Sequence, residues 1–319
     1  MRLLVTGANG FIGRNVLLRA PRDWEIVAVS HTTPGLDVFV ADQALSNVRV
    51  LRCDLSNAGE VQNMRAQIAG RLDAMLYLAA NSDPAVSADR PRDDLDRNTA
   101  TLVTCLEHCP AGHVVFVSSG AVYDGLAGPV SPASAVSPCL PYAISKLASE
   151  HYVRFFAERR QTVGSYVNVR FFGAYGPYEP PRKITTRWLL GLAEGQREFV
   201  IRGDGKNLID FMYVDDAVDG FLALLKVRGT RTTVDFASGQ PISIDEVVGA
   251  MASVLGVDVR VRHEGQVPEY IEFRSIDRTM RERFGVTPRV SFPEGLNRLH
   301  GFLSRARAAS GDQRTAHRE

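Results

Sequence analysis

Tyr142-Ala-Ile-Ser-Lys146 holds the two side chains of this sequence best placed to exchange a proton. Residues i and i+4 of a helix share one face, so the phenol and the ammonium can meet at one point. A free tyrosine titrates near 10 and is a weak base at neutral pH, but neighbouring positive charge stabilises its phenolate. Lowering it by roughly three units, at about 1.4 kcal/mol each, makes the phenol a usable proton acceptor. The lysine is informative because the chain has only four, Lys146, Lys183, Lys206 and Lys226, among many arginines. The spacing alone also fits a helix-start tyrosine with an unrelated surface lysine; the surrounding elements decide between the two.

What must position such a pair begins at residue 1. Met1-Arg-Leu-Leu-Val-Thr-Gly7-Ala-Asn9-Gly10-Phe11-Ile12-Gly13 is a short apolar run that breaks into three glycines spaced three apart. Arg2 to Val5 reads as a buried strand. Gly7 permits a tight turn, Gly10 lets the backbone approach a pyrophosphate, and Gly13 lets the next helix pack closely on the strand. That helix starts near Phe11 and aims its amides and dipole at phosphate, so Asn9, Gly10, Phe11 and Ile12 are candidate dinucleotide contacts. Glycines also mark ordinary turns. The position after a strand and before the amphipathic set Phe11, Ile12, Val16 and Leu17 favours the dinucleotide.

Further apolar runs follow at Glu25–Val29, Val48–Leu51, Asp73–Leu78 and His113–Val117, with helix-like segments at Glu60–Ala69 and Asp94–His108. Such alternation predicts an α/β fold, a doubly wound parallel sheet of Rossmann type covered on both faces. Ligands of these sheets bind beyond the carboxyl ends of the strands. Thr6, Ser30, Asp54, Asn81 and Ser118-Ser119 fall there. Gly120–Pro141, rich in Gly, Pro, Ser and Ala, reads as an active-site loop. A helix from Tyr142 to about Arg159 and a strand over Ser165–Phe171 follow it. The expected organisation is a dinucleotide-binding domain over 1–172, to which 213–237 returns, then a smaller C-terminal α/β substrate-binding lobe, mainly 173–304. A polar flexible tail is expected over 305–319.

With 319 residues, 45% of them hydrophobic, the chain can bury one large core or two modest ones. A net charge of +1 favours neither nucleic acid nor an anionic membrane as partner. No run is apolar for the roughly eighteen residues of a membrane helix, and no charged-then-apolar leader precedes the first strand. Cys53, Cys105, Cys109 and Cys139 form no C-x-x-C pair, and Cys105 and Cys109, one helical turn apart, suit core packing better than zinc. The expectation is a cytoplasmic protein with reduced thiols and no bound metal.

Tyr142 and Lys146 follow the fifth strand and its serine-rich end, and here the chain resembles the extended short-chain dehydrogenase/reductase family. These are the NAD(P)-dependent nucleotide-sugar epimerases, dehydratases and ketoreductases. The resemblance runs from Met1 to about Phe302. It rests on Gly7-x-x-Gly10-x-x-Gly13, Asp54-Leu55, Leu78-Ala79-Ala80, Asn98, Val117-Ser-Ser-Gly-Ala-Val-Tyr123 and Tyr142-x-x-x-Lys146. Tyr175-Gly-Pro177 and Gly203-Asp-Gly205, leading to Asp210-Phe-Met-Tyr-Val-Asp215-Asp216, extend it. It implies that Tyr142 is the general acid/base, that Lys146 also holds the nicotinamide ribose, and that Ser119 hydrogen-bonds the reacting sugar hydroxyl. It implies too that Asp54 accepts from the adenine amino group, with Leu55, Leu78, Ala79, Ala80, Asn98 and Val117 along the cofactor. From the residues alone, Ser119 also fits a serine capping a turn, and Asp54 and Asn98 also fit helix caps.

Departures from the family pattern narrow the function. Family dehydratases carry an acidic pair after the serine or threonine; Gly120 and Ala121 stand there, which argues against 4,6-dehydration. Where NAD users end the second strand in an aspartate, this chain has Ser30, then His31. An uncharged residue removes repulsion against a 2′-phosphate, and Arg14 or His31 could help to bind one, so NAD or NADP fits with a lean to NADP. His31 also fits an exposed loop. The family's asparagine before Val-Tyr-Gly-Pro is Gly173, and its arginine before Asp-Phe is Ile209. Arg274, Arg202 and Lys183 are left as diphosphate partners or as solvated surface cations. The expected substrate contacts are therefore Ser119, Gly120, Tyr142, Gly173, Lys183, Arg202 and Arg274, and the usual UDP-sugar is in doubt.

Two reactions fit. An epimerase oxidises a sugar hydroxyl to a ketone through the nicotinamide and reduces it again from the other face. An NADPH-dependent 4-ketoreductase runs the same constellation once. A cofactor-sensing module without turnover would not need tyrosine, lysine and serine together. By analogy with the family, the Asp94–His108 and Tyr142–Arg159 helices pair across a homodimer.

Overall fold

Leu3, Leu4 and Val5 are wholly buried, which a strand achieves in the middle of a sheet covered on both faces. In the computed structural model, which describes residues 1–266 and 272–315, that strand is β1 (Arg2–Thr6). It pairs with β2 (Glu25–Ser30) on one side and β4 (Ala74–Tyr77) on the other. With β3 (Val48–Arg52), β5 (Ala111–Ser119), β7 (Val163–Phe171) and β12 (Arg231–Phe236) it makes a seven-stranded sheet. The order is β12-β7-β5-β4-β1-β2-β3, and all the pairings are parallel. Strand order reverses between β1 and β4, and the crevice beyond their carboxyl ends is the usual ligand site of such sheets.

The flanking helices are α1 (Phe11–Arg19), α2 (Leu36–Asp42), α3 (Ala58–Ala66), α4 (Pro84–Asp89), α5 (Pro91–Leu95), α6 (Thr101–His108) and α7 (Pro141–Phe155). Val61 and Met64 of α3, Leu102, Cys105 and Leu106 of α6, and Val153 of α7 pack with Leu4, Val27, Met75 and Val114 of the sheet. The helix expected over 94–108 is interrupted by a π-turn, Asp96–Ala100, and a second, Phe156–Arg160, prolongs α7. The expected loop after β5 is partly ordered into a 3₁₀ turn, Gly120–Tyr123, and β6 (Ala127–Val130).

Two compact units make up the chain. Met1–Phe172, Val218–Ala237 and Phe273–Thr287 form the sheet-bearing one, so Phe273–Thr287, which the sequence places in the smaller lobe, packs there. Gly173–Ala217, Ser238–Glu272 and Pro288–Glu319 form the second. Its strands pair in twos: β8 (Ala174–Tyr175) with β11 (Met212–Tyr213), β9 (Glu198–Arg202) with β14 (Arg260–Glu264), and β10 (Leu208–Ile209) with β13 (Ile242–Ser243). It holds α8 (Ile184–Ala193) and α10 (Ile244–Leu255), while α9 (Val214–Leu224) runs from it into the first unit. Ser243 and Glu246 close a capping box at the start of α10, and Gly256, in the left-handed region, ends it. In the first unit, β15 (Glu272–Ser275) pairs with β6, and α11 (Thr279–Phe284) packs beside β12.

The last helix, α12 (Phe292–Thr315), runs past Arg305, where a flexible tail is expected. Residues 316–319 lie outside those described.

Candidate active site

The glycine loop between β1 and α1 is shaped by what it excludes. Gly7 has φ +63°, and a Cβ there would lie 2.8 Å from Ala79 N. At Gly13 a Cβ would sit 2.6 Å from the carbonyl oxygens of both Gly7 and Ala8, so only glycine lets α1 approach the turn this closely. Gly10 caps α1 with no side chain over the helix end. That arrangement, backbone amides at a helix N-terminus beside a turn without side chains, fits a diphosphate. The Thr6 hydroxyl accepts from Leu78 N (3.1 Å) and Ala79 N (3.2 Å), tying the ends of β1 and β4 together beneath the loop; Ala80 follows. Asn9 donates to Thr33 O and Pro34 O, at 2.9 and 3.0 Å. Its amide oxygen holds Arg14, whose guanidinium also lies 4.8 Å over Phe39. Arg14 therefore braces the loop, a use the phosphate-binding role considered for it did not foresee.

Ser30 closes β2 and is buried. Its neighbour across the ladder is Arg52, exposed and 3.7 Å from Asp37. His31 is exposed, with Nε2 3.6 Å from Asp54 Oδ2. Asp54 Oδ1 accepts from Ser56 N and Ser56 Oγ, bonds that hold its carboxyl below the usual range. It does not cap the next helix. Asn57 does, accepting from Gly59 N and Glu60 N, while Leu55 is buried alongside.

Three contacts set the start of α7. Pro141 stands at its first position, where a missing N–H costs nothing. Asp124 Oδ2 accepts from Cys139 N (3.0 Å) and Leu140 N (3.2 Å), and Ser87 Oγ accepts from Tyr142 N (3.2 Å). The Tyr142 phenol thereby lies near enough to Ser119, the last residue of β5, for that hydroxyl to pull its ionisation down. Ser119 Oγ accepts from Ala121 N at 3.1 Å and so caps the 3₁₀ turn. Lys146 is buried one turn along α7. Its Nζ donates to Val117 O at 2.9 Å and lies 5.2 Å from the Phe116 ring and 5.8 Å from the Tyr142 ring.

The electrostatics differ from the sequence expectation. Burial pushes Tyr142 above its ordinary value, the nearby Ser119 hydroxyl pulls it down, and Asp94 pushes it up. Lys146 gives its hydrogen bond to a carbonyl rather than to the phenol, and burial lowers it to about 8 against the pull of Asp94 and Glu150. The lone chain therefore holds its phenol protonated.

Asn98 is no helix cap. It is buried in the π-turn, where Nδ2 donates to Asp94 Oδ1 (2.8 Å) and Oδ1 accepts from Asn81 N (2.6 Å). Gly120 is buried, and a Cβ there would touch the Phe172 ring at 3.2 Å. Gly173, with φ +139°, half-buried Lys183 before α8, and exposed Arg202 at the end of β9 belong to the second unit; exposed Arg274 on β15 belongs to the first. The sequence reading assigned no role to Asp94, Ser87 or Asp124, although the Asp94/Asn98 spacing of four on a helical segment is a visible signal for the first. Among the described residues no group of three His, Cys, Asp or Glu could hold a metal, and no helix is long and apolar enough to cross a membrane.

Residues 3–234 match the profile of the NAD dependent epimerase/dehydratase family. The chain is 29% identical over 294 residues to the dTDP-4-dehydro-6-deoxy-D-allose reductase of Streptomyces bikiniensis, covering 87% of this chain and 88% of that one. It is 28% identical over 317 residues to the UDP-glucose 4-epimerase of Mycolicibacterium smegmatis, covering 95% and 98%. Among solved structures, MoeE5 in complex with UDP-glucose and NAD superposes with a TM-score of 0.83 at 26% identity, covering 96% of this chain and 99% of that one.

Proposed function

The chain belongs to the NAD dependent epimerase/dehydratase family, and from that premise we propose that it is a nucleotide-sugar epimerase. The observation that carries this reading is the convergence of the Tyr142 phenol on Ser119 at the end of β5, with Lys146 one turn along α7. Ser119 holds the sugar hydroxyl, and Tyr142 takes its proton and later returns it. A bound nicotinamide supplies the acceptor and donor of hydride. Gly7, Asn9, Gly10, Phe11 and Ile12 hold the diphosphate, and Ser30, His31, Asp54 and Leu55 the adenosine end. Leu78, Ala79, Ala80, Asn98, Val117 and Lys146 serve the nicotinamide side. Gly120, Gly173, Lys183, Arg202 and Arg274 are assigned to the substrate. Elimination of water is disfavoured, because Gly120 and Ala121 stand where the family's dehydratases carry an acidic pair. Four free cysteines are in keeping with a cytoplasmic enzyme.

A second reading, an NADPH-dependent 4-ketoreductase, is favoured by Ser30. An uncharged residue with Arg52 across the ladder suits a 2′-phosphate. The purified chain, given UDP- and dTDP-hexoses without added coenzyme, is expected to interconvert epimers. Stoichiometric consumption of NADPH with 4-keto sugars, and no interconversion, would replace the epimerase by the ketoreductase.

We also read the chain as a homodimer. Ile144, Tyr152 and Phe155, which recur at helical spacing along α7, and Leu95 of α5 are 48%, 42%, 44% and 46% exposed, apolar surface that a second copy would cover. Sedimentation equilibrium is expected to give twice the chain mass; a 35.0 kDa species rejects the dimer.

A further inference from the structure

Asp94 is a buried carboxylate outside the set assigned above, on a helix packed against the one that carries the acid/base pair. It is 1% exposed. Oδ1 accepts from Asn98 Nδ2 at 2.8 Å and from Asn81 Nδ2 at 3.1 Å, while Oδ2 is buried with no hydrogen-bond partner among the described residues. The segment that carries it is stitched to α7 around the turn bearing Tyr142 and Lys146. Thr99 Oγ1 donates to Ser145 O (3.0 Å), Ser149 Oγ donates to Asn98 O (3.4 Å), Ser87 takes the Tyr142 N–H, and α5 packs on α7.

A carboxylate removed from water without a cation is costly, so its position calls for a compensating charge nearby. The groups around Lys146 narrow the choice. Its Nζ lies between the Tyr142 and Phe116 rings and donates to Val117 O, and the charges that act on it are Asp94 of α5 and Glu150 of its own helix. Glu150 is already neutralised, because Arg170 of β7 holds it at 3.0 Å. Among the described residues Asp94 has no such ion pair. Its field acts on both Lys146 and Tyr142.

Resting on the reading of Tyr142 and Lys146 above, we propose that Asp94 is a positioning residue. Clamped by two asparagines, its carboxylate is the counter-charge that keeps Lys146 an ammonium in the protein interior and keeps the phenol protonated until substrate and coenzyme are in place. Removing that charge while keeping the shape lets both groups lose their protons at lower pH.

The chain's four lysines make the test direct. In protein labelled with [ε-¹³C]lysine, the Lys146 resonance is identified by its loss in Lys146→Arg and followed against pH. The wild-type midpoint is expected near 8. Asp94→Asn, which can still accept from both asparagines, is expected to lower it by about one unit or more, and Asp94→Glu to restore it. The pH profile of kcat/KM moves to lower pH in the same variant. An unmoved Lys146 midpoint in Asp94→Asn overturns the proposal. Should that variant not fold, a wild-type midpoint below about 7 overturns it as well, since the ammonium would then lack its counter-charge. The two readings fail separately. A chain inactive on every nucleotide sugar but showing the Lys146 shift sinks the function and leaves Asp94's role. Normal turnover with an unmoved lysine does the reverse.

Discussion

Phenylalanine in place of Tyr142 will lower kcat by about a hundredfold or more, the usual contribution of a positioned acid/base group, while coenzyme affinity stays as in the wild type. The substitution removes one oxygen. The bond from Tyr142 N to Ser87 Oγ is a backbone bond and survives, as do the Asp124 contacts that set the start of α7. The ring still packs over Lys146. What is lost is the proton acceptor and the partner of Ser119, so the defect falls on the chemical step and not on binding. Steady-state turnover together with a fluorescence titration of coenzyme checks both halves. Turnover within tenfold of wild type would remove Tyr142 from the reaction; a parallel loss of coenzyme binding would show that the ring, not the hydroxyl, mattered.

The second large effect is on stability. Glu150 and Arg170 are each 5% exposed and joined by Arg170 Nε and Nη2, with Nη2 at 3.0 Å from Oε2. Ser118 donates to the same carboxylate, and Arg170 Nη1 donates to the Tyr123 hydroxyl at 3.1 Å. Arg170→Met leaves that carboxylate buried without its cation, which costs about 3–5 kcal/mol. Arg170→Met combined with Glu150→Leu is expected to recover most of the loss, because an apolar pair of similar volume needs no desolvated charge. The midpoint of urea unfolding, at unchanged slope, measures both. A single variant costing under about 1 kcal/mol would mean that Glu150 does not depend on Arg170 for its charge.

How far the residues alone led follows from the range of each interaction. β1, β2, β4 and β5 were legible because strands buried on both faces read as continuous apolar runs. The glycine loop was legible because Gly7 and Gly13 answer local steric demands. Tyr142 and Lys146 stood out because a spacing of four is a property of any helix. Sequence could not show the clamp on Asp94, since Asn81 lies thirteen residues before it and is brought back only by the chain reversals through α4 and α5. The same holds for Asp124, whose targets at 139 and 140 lie across a loop. A π-turn shifts the helical phase by about one residue, so the break at Asp96–Ala100 was invisible to a 3.6-residue period. The direction in which Tyr142 is displaced depends on burial and on Asp94, neither of which spacing reveals. The last helix was missed for another reason. Its end is polar, which suggests a tail, but the arginines and alanines of Arg305-Ala-Arg-Ala-Ala309 are strong helix formers.

Tyr123, in the turn that follows Ser119, has a fate opposite to that of Tyr142. It is completely buried, its hydroxyl donates to Asp235 Oδ1 at 2.7 Å and accepts from Arg170, and burial with the aspartate drives its ionisation far above the ordinary value. The fold thus quarantines the aryl alcohol four residues beyond Ser119. Locked in that closed circuit, this phenol is withdrawn from proton exchange.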